Sequence, residues 1–269
     1  MSVPTQGRDE DLGDGGLGQI FVTHCLRDDS INGEAGYGVR ATSLRAGLDP
    51  ELWRSANKHA VVEPPLAIRS NTFDASKTPV KLALTRLADG RAMLIHSCIT
   101  KESSDHIPRP WSYFSHILVG KTISPRSALA AWAASTWTRD YPSGAAKDLA
   151  EARGTPVGGV VGDAGLTRFL AGDETDPDPN LASTASPPRI AQKVDARRRW
   201  VRAVLAWRIR YLEASGEERG KIRLHVLAEP GVVAMMLYAA TRLLPDPWSR
   251  DLRFSTYEPA EIRLPQVVK

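Results

Sequence analysis

The sequence is poor in cysteine, with only Cys25 and Cys98 among 269 residues. Two cysteines are too few for a disulfide scaffold or for a four-cysteine zinc site. No apolar run approaches the length that crosses a bilayer, and the N-terminus lacks the basic and apolar segments of a signal peptide. We therefore expect a cytoplasmic protein with reduced thiols and without a membrane span.

Motifs of common catalytic sites are also absent. The chain contains no CxxC, HxxxH or HExxH spacing and no GxxxxGK[ST] loop, so it is not expected to be a P-loop NTPase itself. The glycine-rich stretch INGEAGYGVR is followed by residues that predict a strand, and a strand offers no helix N-terminus to a phosphate. We interpret it as a tight connection between two strands and expect no cofactor.

The charge is mild overall but unevenly distributed. The formal net charge is +4, whereas residues 187–224 hold eleven Lys or Arg against four Asp or Glu. A single basic helix thus raises the pI, and the rest of the chain is slightly acidic. This confinement to one element disfavours nucleic-acid binding by the protein as a whole.

The N-terminal half predicts a β-rich domain with a flanking helix. Predicted strands are GQIFVTHCL, YGVRATS, VKLALTRL, RAMLIHSCI and WSYFSHILVG. DPELWRSA predicts a helical turn capped by Asp49, and the sequence ADG, ending in Gly90, predicts a tight hairpin between the third and fourth strands. SPRSALAAWAASTWTRDYP predicts a helix capped by Ser124, with Leu129, Trp132, Ala133 and Trp137 near one face.

The C-terminal half predicts a smaller α/β domain. A long helix is expected from Arg189 to Ser215, followed by the strand KIRLHVLA, the helix GVVAMMLYAATRLL and the strand LRFSTYE. The fold class is therefore α+β or α/β, with a strand–helix–strand unit at the end. We divide the chain into a disordered tail (1–18), the β-rich domain (19–141), a connecting region with the short helix LTRFLAG and an acidic proline-bearing loop (142–188), and the α/β domain (189–269).

Histidine and cysteine recur on three predicted strands and form the first candidate site. The residues are His24, Cys25, His96, Cys98 and His116. Cys25 with His24, His96 and His116 could form a Cys–His hydrolase site, and His96, Cys98 and His116 could ligate zinc. Against this, His24 and Cys25 are adjacent and face opposite sides of a regular strand. Free cysteine also behaves mainly as a small apolar side chain, so we favour a structural role.

The basic helix provides the second candidate site. Arg199, Arg202 and Arg210 fall near one another on a helical wheel, while Arg197 and Arg198 spread around it. Trp200, Trp207 and Tyr211 could stack on bases, but the aromatics that border the apolar seam are expected in the core. A basic face that meets an acidic partner needs no nucleic acid. We therefore assign Arg198, Arg199, Arg202 and Arg210 to partner binding.

Several segments together resemble a known family. QIFVTHCLRDDSINGEAGYGVRATS and LIHSCITKESSDHIPRPWSYFSHILVG look like the N-terminal domain of bacterial GTPase-associated protein 1. ARRRWVRAVLAWRIRYLE and the ending from Leu244 to Tyr257 resemble the middle domain of that family. Family members usually continue beyond the middle domain, whereas this sequence stops at LPQVVK.

The resemblance implies a component of a GTPase-centred bacterial conflict or defence system, and it brings no catalytic residues. We therefore expect a non-catalytic adaptor, sensor or regulator that contacts a separate GTPase or other proteins of the same locus. The alternative is a Cys–His or metal-dependent hydrolase built on the histidines and cysteines of the N-terminal sheet.

Overall fold

The computed structural model describes residues 16–44, 50–64, 78–100, 111–141, 147–156, 161–172, 187–226 and 228–258. Most of the expected disordered tail (1–18) lies outside these residues, as do Asp49 and most of the acidic loop. The chain divides into two compact units: residues 1–123, 137–155 and 257–269 form the first, and residues 124–136 and 156–256 form the second. Strands and helices are both present, so the predicted mixed α and β fold class is confirmed.

The first unit contains an antiparallel sheet. Its strands are β1 (Gly18–Cys25), β2 (Gly36–Thr42), β3 (Lys81–Arg86), β4 (Ala92–Thr100) and β5 (Ser112–Gly120). They run in the order β2-β1-β5-β4-β3, and every neighbouring pair is antiparallel. The predicted hairpin joins β3 to β4, where Gly90 has a φ of 85°, a value that favours glycine.

Strands β4 and β5 are buried on both faces. All nine residues of β5 are buried, as are eight of the nine in β4. One face carries α1 (Pro50–Ala60), and the core on that side includes Ile20, Leu52, Met93, Ile95 and Ile117. The opposite face carries a smaller cluster around Phe21, Cys98 and Phe114. Because both faces of β4 and β5 are buried, their sequences are mostly apolar and do not alternate between apolar and polar residues.

Polar side chains from the sheet hold the C-terminal end of α1. The hydroxyls of Ser97 and Ser115, both fully buried, lie 3.0 Å and 2.9 Å from the Ala60 carbonyl and 2.7 Å from each other. The Lys81 ammonium donates to the Val61 carbonyl at 3.1 Å. The last carbonyls of a helix have no partner within it, so these side chains satisfy groups that would otherwise be buried without a hydrogen bond.

The second unit is mainly helical. Its helices are α2 (Pro125–Ala130), α3 (Asp163–Ala171), α4 (Pro187–Glu213), α5 (Gly216–Arg219), α6 (Pro230–Leu243) and α7 (Asp246–Ser249). Helix α6 is buried on all sides from Pro230 to Thr241, and α2, α3 and α4 pack against it. A helix that is apolar all round belongs in a core. Among the described residues, none of the helices has both the length and the hydropathy of a membrane span.

Helix α2 is shorter than the sequence predicts. Ser124 caps it through a hydrogen bond to the Ser127 amide, as expected, but the helix ends at Ala130. Ala133 has a φ of 58°, a left-handed conformation that cannot continue a right-handed helix. The placement of Trp137 on the helical face with Leu129 was therefore wrong.

The strand predicted over residues 221–228 was also wrong. Residues 221–226 alternate between exposed and half-buried, as in a strand, but they have no strand assignment in the structure. Alternation describes an extended chain, whereas a strand also needs a hydrogen-bonded neighbour. The strand predicted over LRFSTYE shrinks to β6 (Phe254–Ser255). The predicted strand–helix–strand unit is consequently not formed.

The hydroxyls beneath α1 allow a stability test. We expect Ser115→Ala to lower the free energy of unfolding by about 1–2 kcal/mol, because the Ala60 carbonyl and the Ser97 hydroxyl lose a buried partner. Chemical denaturation measures this difference. Ser135→Ala is the control, since Ser135 is exposed; an equal loss in both variants would contradict this role of Ser115.

Candidate functional site

Two of the predicted residues, His96 and His116, meet at the centre of the sheet. They are directly opposite each other in the antiparallel pair of β4 and β5. The Trp137 ring stacks on His96 with 4.8 Å between ring centroids and meets His116 edge-on at 5.1 Å. Trp137 follows α2 in the sequence but belongs to the first unit. The two imidazoles thus lie on the sheet face opposite α1, beneath an indole ring.

His116 is fully hydrogen bonded. The Thr138 amide donates to its Nδ1 at 3.3 Å, and its Nε2 lies 2.7 Å from the Gln19 side-chain oxygen. Because Nδ1 accepts a hydrogen bond, the proton of the neutral ring is assigned to Nε2, which donates to Gln19. Burial lowers the pKa of His116 to about 4 from 6.5. His116 is therefore a neutral donor and acceptor at physiological pH.

His96 is more deeply buried and less well satisfied. Its side chain is 1% exposed, and neither ring nitrogen has a hydrogen-bond partner among the described residues. Burial, with smaller contributions from Arg139 and His116, lowers the pKa of His96 to about 3. A cation here would be desolvated beside another positive group, so the ring remains neutral.

Cys98 lies on the same face as His96, two residues along β4. Its thiol donates to the Arg139 carbonyl at 3.1 Å and lies 3.8 Å from the Phe114 carbonyl. Burial raises the pKa of Cys98 to about 12. A protonated thiol beside neutral imidazoles is the opposite of the thiolate–imidazolium pair that a nucleophilic cysteine requires.

His24 and Cys25 do not join this cluster. The ring of His24 meets Tyr37 edge-on at 5.0 Å, and Tyr37 stacks on Tyr113 of the α1-side core. Cys25 is fully buried opposite Gly36 of β2, with its sulfur 3.5 Å from the Gly36 carbonyl. The two neighbours thus face opposite sides of the sheet.

The zinc hypothesis finds little support in this geometry. The part of the chain that the structure describes holds no group of three His, Cys, Asp or Glu side chains arranged for a metal ion. Both ring nitrogens of His116 are already engaged by Thr138 and Gln19. The arrangement is that of a packed polar cluster inside an aromatic core.

The arginines of α4 separate into two sets. Arg198, Arg199, Arg202 and Arg210 are exposed, whereas Arg197 and Arg208 are 1% exposed. The sequence pattern did not predict the burial of Arg197. Trp200, expected beside the seam, is 40% exposed. The four arginines assigned to partner binding are therefore accessible to solvent.

Gln19, Trp137 and Thr138 complete the histidine cluster and were missed by sequence reasoning. Gln19 reaches His116 because β1 pairs with β5: Phe21 is opposite His116, and Gln19 lies two residues before Phe21 on the same face of β1. Trp137 was assigned to a helix that ends before it. The register of β1 against β5 was the missing information, since alternation alone does not select the partner strand.

The buried imidazoles predict acid sensitivity. Their pKa values are lowered on folding, so below pH about 6.5 the unfolded chain binds protons that the folded chain does not. The free energy of unfolding should therefore be fully present above pH about 6.5 and fall as the pH drops toward 4. We expect His96→Leu to make this fall shallower and His225→Gln, an exposed control, to leave it unchanged. An unaltered slope in the His96 variant would contradict the assignment.

The buried thiols predict low reactivity. With its pKa raised and its side chain buried, Cys98 should react with a thiol-specific reagent at pH 8 far more slowly than in denaturant, and Cys25 should follow because it is fully buried. The reagent releases a coloured group when it reacts with a thiol, and the absorbance of that group measures the rate of modification. Rapid modification of either thiol in the native protein would refute the burial.

A family model provides the comparison with known proteins. The model of GTPase-associated protein 1, N-terminal domain type 2, matches residues 16–154, which include all five strands of the first unit and the histidine cluster. No curated protein and no solved structure matches the sequence. The similarity of the C-terminal half to the middle domain stays a prediction. Because the match covers more than half of its residues, the chain belongs to the GTPase-associated protein 1 family, through an N-terminal domain of type 2.

Proposed function

We propose that this protein is a non-catalytic adaptor or regulator that binds a separate GTPase in the cytoplasm, within a bacterial conflict or defence system. The observation that carries the proposal is the family match over residues 16–154, since the family description names association with a GTPase. The sequence contains no P-loop motif, so the nucleotide-hydrolysing activity is assigned to another chain.

The chemistry of the sheet supports a non-catalytic role. A hydrolase built on the histidines and cysteines would need an ionisable thiol beside a basic imidazole, or three ligands around one point. The pKa of the Cys98 thiol is raised by burial, and the pKa values of His96 and His116 are lowered by burial. This favours binding over catalysis.

Direct binding to a GTPase tests the proposal. We expect the purified full-length chain to form a complex with the GTPase encoded beside it, detected by light scattering after gel filtration and by calorimetry. The measurement is repeated with GDP and with a non-hydrolysable GTP analogue, because a regulator that responds to nucleotide state must bind the two forms with different affinities. Absence of a complex in both states, at micromolar protein, would sink the proposal.

Substitutions in the sheet separate adaptor from hydrolase. Cys25→Ala removes the cysteine of the predicted Cys–His site, and His96→Leu removes a histidine that the Cys–His and the metal alternatives share. We expect both folded variants to bind the GTPase with the affinity of the parent, and we expect the parent not to hydrolyse a generic ester or peptide substrate. Hydrolysis by the parent that either substitution abolishes would favour the hydrolase.

A further inference from the structure

Two arginines on the inner side of α4, and one arginine just after the helix, make buried or capping contacts. The Arg197 guanidinium donates to the Phe169 carbonyl and lies 4.3 Å above the Phe169 ring. Arg208 donates to the Trp248 carbonyl at 2.7 Å and pairs with Asp251. Arg219, just beyond the helix, donates to the carbonyls of Tyr211, Leu212 and Ala214. These contacts anchor the helix and satisfy carbonyls at its C-terminal end.

The outer side of α4 is organised differently. At 100° per residue, Arg199, Arg202, Ala203, Ala206 and Arg210 form one face opposite the buried residues Arg197, Val201, Val204 and Arg208. We call this the outer face. Ile209, 40% exposed, lies on one margin of this face, and Trp200, also 40% exposed, lies further round the helix, about 60° beyond Ala203. Arg198 lies just beyond Ile209.

The outer arginines are unpaired within the part of the chain that the structure describes: neither an ion pair nor a side-chain hydrogen bond engages Arg198, Arg199, Arg202 or Arg210. Exposed alanines between them leave room for close approach. Arginine and tryptophan are the residue types that most often dominate protein interfaces. From Arg198 to Arg210 the surface is about 18 Å long, at roughly 1.5 Å per residue.

The chemistry of the outer face favours a protein over a nucleic acid. Asp195 and Glu213 are also exposed on this side of the helix, so the outer face carries charges of both signs, a pattern that a protein surface can match and a uniformly negative phosphate backbone cannot. Tyr211 is not free to stack on a base, since its ring lies 4.9 Å from the Arg208 guanidinium and 5.5 Å from that of Arg219. Trp207 packs against Tyr211 with 5.9 Å between centroids. Because the four arginines outnumber these two carboxylates, the surface suits a protein partner of mainly acidic charge.

We propose that the outer face of α4 is the docking surface for an acidic segment of the partner GTPase, with Ile209 at its margin and Trp200 further round the helix as apolar contacts. This inference rests on the proposed function, because it names the surface through which the GTPase is bound. The arginines provide steering and charge pairing, and the two apolar side chains supply buried area.

Matched charge reversals test the surface. The outer-face variant changes Arg198, Arg199, Arg202 and Arg210 to Glu. The control variant changes four exposed arginines elsewhere, Arg153, Arg168, Arg223 and Arg253, to Glu. Both take the formal net charge from +4 to −4, so a general charge effect is equal in the two. Circular dichroism and thermal unfolding establish that each is folded, and a fourfold Arg→Gln version of the outer-face variant serves if the Glu version is not.

Binding of each variant to the purified neighbouring GTPase is measured by calorimetry at low and physiological salt. We expect the outer-face variant to lose on the order of 100-fold in affinity and the control to stay within about threefold. Trp200→Ala and Ile209→Ala should each lose about tenfold without changing the salt dependence. Unchanged affinity in the folded outer-face variant, with the parent binding normally, overturns this surface but leaves the proposed function standing.

Two further outcomes decide the remaining alternatives. If the parent binds no GTPase, the proposed function fails, and the surface assignment fails with it. Single-stranded DNA and RNA of 30 nucleotides are titrated in parallel. Tighter binding of either than of the GTPase, abolished by the outer-face variant and not by the control, would overturn the protein-docking inference in favour of nucleic acid.

Discussion

The architecture of the first unit depends on the burial of β4 and β5 on both faces. Every polar side chain on these two strands must find its partner inside the protein or remain neutral. On one face Ser97 and Ser115 satisfy the end of α1, and on the other His96 and His116 pack beneath Trp137. Residue types that resemble an active site in the sequence thus serve as the internal polar framework of a sheet with a helix on one side.

Because of this burial, the polar side chains of the sheet differ in their properties from the exposed charged side chains of the second unit. Desolvation favours the uncharged forms of the His96 and His116 imidazoles and of the Cys98 thiol. Positively charged side chains are instead concentrated on α4 of the second unit. Arg197 and Arg208 are buried there in packing contacts, and four other arginines are exposed to solvent.

Much of the fold could be read from periodicity. The five strands of the first unit, the turn at Gly90 and the long helix α4 follow from alternation, turn chemistry and the spacing of apolar residues. The pairing of strands and the points at which helices end could not be predicted in the same way. The helix α2 stops because Ala133 adopts a left-handed conformation, and residues 221–226 lack strand partners, which no local pattern reveals. The burial of Arg197 likewise depends on Phe169, which is distant in sequence.

The most direct test of the claim that the sheet histidines are neutral structural groups is an NMR titration of the imidazole ring protons. The resonances of His96 and His116, assigned through His96→Leu and His116→Gln, are followed from pH 8 to pH 5. Burial lowers both pKa values to about 4 or below, so neither resonance should show a titration shift in this range. A midpoint between pH 6 and 7 for either ring would contradict the account, because it would place an accessible acid–base group in the sheet.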